Sequence, residues 1–218
     1  MLTEFAREQM IEQQLRAWDV LDERVLETMR AIPRERFVPP AWRELAFADT
    51  EIALPRGKRM LRPMIVGRIL QVLSLRGGEE VLEIGTGSGY LTACLARLGG
   101  RVRSLELHPD IADFARSNLQ GAAPTLPYEV VVSDGMHLAD ESRYDAVVLT
   151  ASLPMYEARF ERALRVAGRM FVVVGAATSL QEASLVTRES DSEWRRQPLF
   201  ETSLEALEHA PRPESFLF

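Results

Sequence analysis

The chain has 218 residues, 46% hydrophobic and 27% charged, with a formal net charge of −6. Its length suits one domain with an appendage, and its acidity offers no general attraction to a phosphate backbone, so nucleic acid is not an expected partner. The lone cysteine, Cys94, excludes an intrachain disulfide, and His108, His137 and His209 lie too far apart in sequence to read as a metal-binding pair.

Glu4, Arg7, Glu8 and Glu12 crowd the start, where a secretory leader would need an apolar run. No stretch approaches the roughly 20 apolar residues that cross a bilayer, so the expectation is a cytoplasmic protein without membrane contact. Residues 3–18 read as an amphipathic helix, with Phe5, Gln9, Ile11, Leu15 and Trp18 near helical spacing. Asp22 is an N-cap for a second helix carrying Val25, Leu26 and Met29, which Ile32-Pro33 ends. Residues 33–62 are irregular and hold the basic run Arg56-Gly57-Lys58-Arg59-Met60-Leu61-Arg62. Pro63 starts a helix running to about Leu75, with Arg76-Gly77-Gly78 closing it.

From residue 80 strands and helices alternate. Strands are expected at 81–84, 102–106, 128–132, 144–150 and 169–174, helices at 88–98, 110–119 and 155–165, and a final antiparallel pair at 180–188 and 194–200. Cys94 falls on the apolar side of the first of these helices and reads as a core residue. The order implies a doubly wound, mostly parallel α/β sheet. One domain is expected over 1–218, with 1–62 as a helical and loop extension and 63–218 as a Rossmann-like core ending in antiparallel strands. The tail Pro211-Arg212-Pro213 reads as extended, and Phe216-Leu217-Phe218 as an apolar end that docks on a surface.

The chemistry-bearing segment is Glu83-Ile84-Gly85-Thr86-Gly87-Ser88-Gly89-Tyr90, between a strand and a helix. Glycines permit positive φ and close approach of a ligand to helix-start amides. Tyr90 stands where a dinucleotide fingerprint needs its third glycine, and the Lys-Ser/Thr pair of a triphosphate loop is missing. Two carboxylates follow at strand ends. Glu106 can accept both hydroxyls of a ribose, or serve as a capping or surface carboxylate. Asp134, in Ser133-Asp134-Gly135-Met136, can accept an adenine amino group, or belong merely to a turn. Leu107 and Met136 are positioned to sandwich the purine. Glu83 lies beside the methionyl ammonium or bonds the glycine loop from the surface. The combination fits S-adenosyl-L-methionine, with Glu83, Gly85, Thr86, Gly87, Ser88, Gly89, Glu106, Leu107, Asp134, Gly135 and Met136 as the binding residues, and the fold of a class I methyltransferase.

Over most of its length the chain also resembles the protein-L-isoaspartate O-methyltransferase family. The resemblance rests on Met10-Ile11-Glu12-Gln13-Gln14-Leu15, Asp22-Glu23-Arg24-Val25-Leu26, Ile32-Pro33-Arg34-Glu35-Arg36-Phe37-Val38-Pro39, Leu45-Ala46-Phe47-Ala48-Asp49-Thr50, Val81 to Tyr90, Leu149-Thr150-Ala151 and Ala167-Gly168-Arg169. It implies transfer of a methyl group to the α-carboxylate of L-isoaspartyl residues, a protein-repair reaction, under a lid of N-terminal helices (residues 3–31). A carboxylate is ionised at pH 7, so no general base is expected. Where the family carries Gly-x-Gly-Gln-Thr-Ile-Ser before a proline, this chain has Arg59 in the threonine position and Leu61 in that of the active-site serine. Leu204-Glu205-Ala206-Leu207 likewise replaces a Phe-Val-Pro-Leu segment. No catalytic residue is singled out; Arg59, Leu61 and Thr150 are the substrate-face candidates. The basic run either binds an anionic acceptor, such as a protein or peptide carboxylate or a small molecule, or is a solvated loop paired with Asp49 and Glu51. The alternative to catalysis is an S-adenosylmethionine-binding adaptor or sensor. A nucleic-acid methyltransferase fits less well, because the fourth strand ends in Leu149-Thr150-Ala151-Ser152-Leu153-Pro154, without an Asn/Asp-Pro-Pro-aromatic loop. Metal ligands are not expected, and the oligomeric state is open.

Overall fold

The computed structural model describes residues 2–176 and 180–213; the apolar end at 216–218 lies outside them. Helix α1 (Leu2–Gln9) runs on through a π-helical stretch, Met10–Leu15, and a 3₁₀ turn, Arg16–Trp18. Helicity over 3–18 is as expected, but its apolar face is different. Met10, Ile11 and Leu15 are buried, whereas Phe5 is 62% and Trp18 40% exposed. The Asp22 side chain accepts from Arg24 N and caps α2 (Glu23–Ala31).

Residues 33–62 form 3₁₀ turns and a two-strand ribbon, β1 (Ile52–Ala53) against β2 (Arg59–Met60). Helix α3 (Pro63–Leu73) starts on its proline as expected. Its end is set earlier than Gly77-Gly78: Ser74 takes a left-handed φ of 43°, its N–H bonding Leu70 O and Gln71 O. Gly67 on α3 admits the N-terminal segment, since a Cβ there would meet Val20 Cγ2 at 3.0 Å.

The main sheet takes β3 (Glu80–Ile84), β4 (Arg101–Glu106), β5 (Tyr128–Val132), β6 (Tyr144–Leu153), β7 (Leu164–Val174), β8 (Gln181–Arg188) and β9 (Trp194–Thr202) in the order β5-β4-β3-β6-β7-β8-β9. The pairings from β5 through β7 are parallel, and β7·β8 and β8·β9 are antiparallel. Successive side chains point to opposite faces, and both faces of the central strands β3 and β6 are buried. Val81, Ala146, Val148, Phe171 and Val173 join one apolar cluster with α3, α4 (Tyr90–Arg97) and α5 (Pro109–Ala122). Leu82, Ile84, Val147, Leu149, Met170 and Val172 join the other. That second face is covered thinly: α6 (Ala158–Arg162) has five residues in place of the longer helix expected over 155–165, because β7 begins at Leu164. Cys94 lies fully buried in α4, and burial pushes its thiol up to about 12, which leaves it an unreactive core residue. Strand order reverses between β3 and β6, and that reversal opens a crevice at the carboxyl ends of the strands.

Candidate active site

The glycine turn sits at this crevice, between β3 and α4. Gly85, Gly87 and Gly89 take φ of 93°, 55° and 84°, which L side chains rarely adopt. At Gly85 the space is also closed, since a Cβ would lie 2.2 Å from Thr150 Oγ1. The Thr150 hydroxyl donates toward Ile84 O (3.0 Å) and Gly85 O (2.8 Å), so the neighbouring strand β6 holds the turn from one side. From the other side Glu106, on β4, accepts from Gly87 N (3.1 Å) through Oε2 and from His108 N (3.2 Å) through Oε1.

Beneath the turn lies a buried polar cluster. Thr92 and Ser104 donate to Glu83 Oε2 at 2.5 and 2.6 Å, and the Thr86 hydroxyl meets Ser104 Oγ at 2.6 Å. Glu83 is fully buried, which excludes the alternative of a surface carboxylate. Burial pushes its carboxyl up to about 7, against the pull of the Ser104 and Thr92 hydroxyls, and the nearby Glu106 adds to the rise. Its Oε1 has no hydrogen-bond partner.

Two connected spaces open above this floor. The larger, about 810 Å³ including its open mouth, is lined by Gly85, Gly87, Glu106, Leu107, Asp134 and Gly135 together with Arg59, Leu61 and Thr150. The smaller, about 330 Å³, is lined by Glu83, Thr86, Ser88, Tyr90 and Arg34, and shares Arg59, Leu61, Gly85, Gly87 and Thr150 with the first. The structure thus brings most of the expected binding residues to one place. Gly89 lines neither space and serves as the N-cap of α4. Met136 departs from the purine-sandwich expectation. The Asp134 carboxylate caps the turn Gly135–His137 by accepting from Met136 N at 2.8 Å, and the Met136 side chain is buried in the core. Leu105, Leu107 and Ile111 supply the apolar lining instead.

Burial alone would raise the Asp134 carboxyl, but His209, the Met136 amide and His137 hold it below the ordinary carboxylate range. Residues 3–31 line neither space, so they form no lid over the crevice. They pack instead behind α3 and α4, where Leu15, Val20, Leu26 and Met29 are buried. The roof comes from two segments to which the family resemblance pointed: the ribbon, through Glu51, Leu54, Lys58, Arg59 and Leu61, and the segment Leu204–Glu208. That segment is fixed to the end of β6, where Ser152 N donates to Glu205 O and Leu207 N to Ser152 O, both at 2.8 Å. Gln181 supports it from below, accepting from Leu204 N and donating to Leu204 O.

The basic run is divided among several partners, none of them Asp49. Arg56 bonds Asp110 (2.7 Å), Lys58 pairs with Glu208, and Arg59 stands 3.8 Å from Glu51. Arg59 is thus the loosely held cation on the cleft wall. Leu61 lies beside it, and its carbonyl is fixed by the buried Arg34 Nη2 at 2.8 Å. Among the described residues, no cluster of three or more His, Cys, Asp or Glu side chains could hold a metal ion, and no helix is long and apolar enough to cross a membrane.

The family model for protein-L-isoaspartate(D-aspartate) O-methyltransferase matches residues 5–204. The chain belongs to that family. It is 43% identical over 184 residues to a protein-L-isoaspartate O-methyltransferase of Methanoculleus marisnigri, covering 84% of this chain and 83% of the relative. With the Aeropyrum pernix protein of the same name, identity is 37% over 194 residues, covering 87% and 74%. The fold is similar to that of a Plasmodium falciparum protein-L-isoaspartate O-methyltransferase homologue solved with S-adenosyl-L-homocysteine. The TM-score is 0.82 at 20% identity, over 93% of this chain and 98% of that one. The chain is therefore a class I, S-adenosylmethionine-dependent methyltransferase by family, with the Rossmann-like sheet of that class.

Proposed function

We propose that this chain methylates a carboxylate oxygen of a protein or peptide, with S-adenosylmethionine held by Glu83, Gly85–Ser88, Glu106, Leu107 and Asp134-Gly135. The observation that carries the reading is a single cleft containing both the glycine turn with its carboxylates and the candidate acceptor wall of Arg59, Leu61 and Thr150. The residues fit the cofactor: the buried Glu83 Oε1 is without a donor beside the smaller chamber, where a methionyl ammonium would satisfy it. When bound, S-adenosylmethionine supplies an electrophilic sulfonium methyl. Glu106 has lone pairs left for ribose hydroxyls, and Asp134 would present Oδ2, now paired with His209, to an adenine amino group.

The acceptor side asks for positioning and dryness, because a carboxylate is already ionised at pH 7. Arg59 is suited to hold an acceptor carboxylate through its guanidinium. Leu54 and Leu61 exclude water from the same wall. Isoaspartyl peptides are the acceptor of the relatives by name. Leu61 in the serine position removes a hydroxyl contact and shifts the preference of this chain toward acceptors that need the Arg59 charge and an apolar neighbour.

The test is tritium transfer from labelled S-adenosylmethionine to an isoaspartyl peptide and to lysate proteins, with calorimetry of S-adenosylhomocysteine alongside. Leu61→Ser is expected to raise transfer to the isoaspartyl peptide by about tenfold, the worth of one restored hydrogen bond. Cofactor affinity should stay within about twofold, because the change lies on the acceptor wall. Intact cofactor binding with no transfer to any acceptor would favour the adaptor or sensor reading, whose support is the missing hydroxyl.

A further inference from the structure

The roof segment Leu204–Glu208 continues into His209, and Glu208 and His209 bond residues that follow the ends of β4 and β5. Glu208 Oε1 takes Lys58 of the ribbon and His108 Nε2 (2.9 Å) at the end of β4. Those partners hold the Glu208 carboxyl down at about 2. His209 bends back with a left-handed φ of 62°, a conformation that a non-glycine residue adopts at some cost. That bend brings its Nδ1 to 2.7 Å from Asp134 Oδ2. The other oxygen, Oδ1, is committed to the Met136 amide. Oδ2 is thus the outward oxygen of the carboxylate, and His137 Nδ1 stands 3.6 Å from it.

Given the adenosyl reading above, on which this step rests, Oδ2 is the atom that an adenine amino group would approach. We infer that His209 is an internal competitor for the adenine site. Its ring takes the hydrogen-bond position of the nucleobase amino group, and the nucleoside binds by displacing it. The segment is built for such an exchange. Its root at Leu204–Leu207 is fixed through the buried Ser152 and Gln181, while the His209 side chain is 60% exposed and its contact with Asp134 is one surface pair. A closed:open equilibrium of this kind reduces the apparent affinity of a ligand in proportion to the fraction of open molecules, and one hydrogen bond at the surface closes the site only modestly. The arrangement trades affinity for release: product leaves a site whose exposed carboxylate has a partner ready.

Calorimetry of the full-length protein with S-adenosylhomocysteine tests this, comparing wild type with His209→Ala. The exposed ring can be removed without opening a core cavity, and a melting curve of each protein checks that both are folded. The expected result is a Kd tighter by about threefold to tenfold in His209→Ala. S-inosylhomocysteine, whose base carries an oxo group in place of the amino group, should bind both proteins equally. Equal or weaker binding of S-adenosylhomocysteine by His209→Ala would overturn the inference, and so would an equal gain for both ligands, which would mean steric shielding. Binding to neither protein would instead remove the adenosyl reading itself.

Discussion

The floor and the roof of the crevice are built by opposite means. The floor is a buried network: Glu83, Thr86, Thr92 and Ser104 are each at most 4% exposed, and the turn above them is gripped by Thr150 and Glu106 from the two flanking strands. The roof is a ribbon and a C-terminal segment, joined to each other by Lys58–Glu208 and, from the ribbon, to α5 by the exposed pair Arg56–Asp110. Buried, mutually bonded groups cannot move singly without leaving an orphaned polar atom, which costs more than the bond itself. Exposed pairs exchange with water at almost no cost. The difference separates two tasks. A preorganised floor suits holding a ligand in one place, while a more exposed roof suits letting ligands enter and leave.

The largest effect should come from breaking the floor. Gly85→Val places a branched side chain at φ 93° and against Thr150 Oγ1. Strain and overpacking together predict a loss of S-adenosylhomocysteine affinity of about a thousandfold, with a lowered melting temperature. Calorimetry within twofold of wild type would show that the turn is not the binding element. Next is Glu83→Gln. The Glu83 carboxyl rises from 4.5 to about 7 on folding. Between those values the folded chain keeps a proton that the unfolded chain releases, so stability falls as pH rises through that window and levels off above it. The substituted amide retains an acceptor for Thr92 and Ser104 and does not titrate. The variant should therefore gain on wild type as pH goes from 4.5 to 8, by up to about 3 kcal/mol. Parallel melting-temperature profiles for the two proteins would rule this out.

What the sequence made legible follows the same division. The floor lies within one strand-turn-helix unit and at the ends of the next strands, so alternation and glycine spacing locate Gly85, Glu106 and Asp134 in advance. The roof depends on Lys58 meeting Glu208 and Ser152 meeting Glu205, residues far apart in the chain and without any shared period. Exposed ion pairs leave no hydrophobic pattern to read. Met136 turns into the core for a local reason: Asp134 caps a 3₁₀ turn, and the apolar side chain that follows packs inward. Residues 3–31 lie away from the cleft wall because their buried Met10, Ile11 and Leu15 pack with α3, a long-range choice that helical spacing does not specify.

The smallest effect is also the sharpest test of the roof. Arg56 bonds both oxygens of Asp110, at 2.7 and 2.9 Å, while its own backbone sits at a φ of 60° in the ribbon turn. The two features oppose each other in stability, and a pair of substitutions separates them. Arg56→Ala removes the ion pair and keeps the left-handed strain; Arg56→Gly removes both. If the pair, half exposed on each side, is worth as little as such pairs usually are, Arg56→Ala should melt within about 1 °C of wild type. Arg56→Gly should then melt about 1–3 °C higher, because glycine takes that φ without steric cost. A fall of several degrees in both variants would mean that the ion pair holds the ribbon as firmly as hydrogen bonds hold the floor. The roof would then be a fixed wall, and ligand exchange would have to come from the C-terminal segment alone.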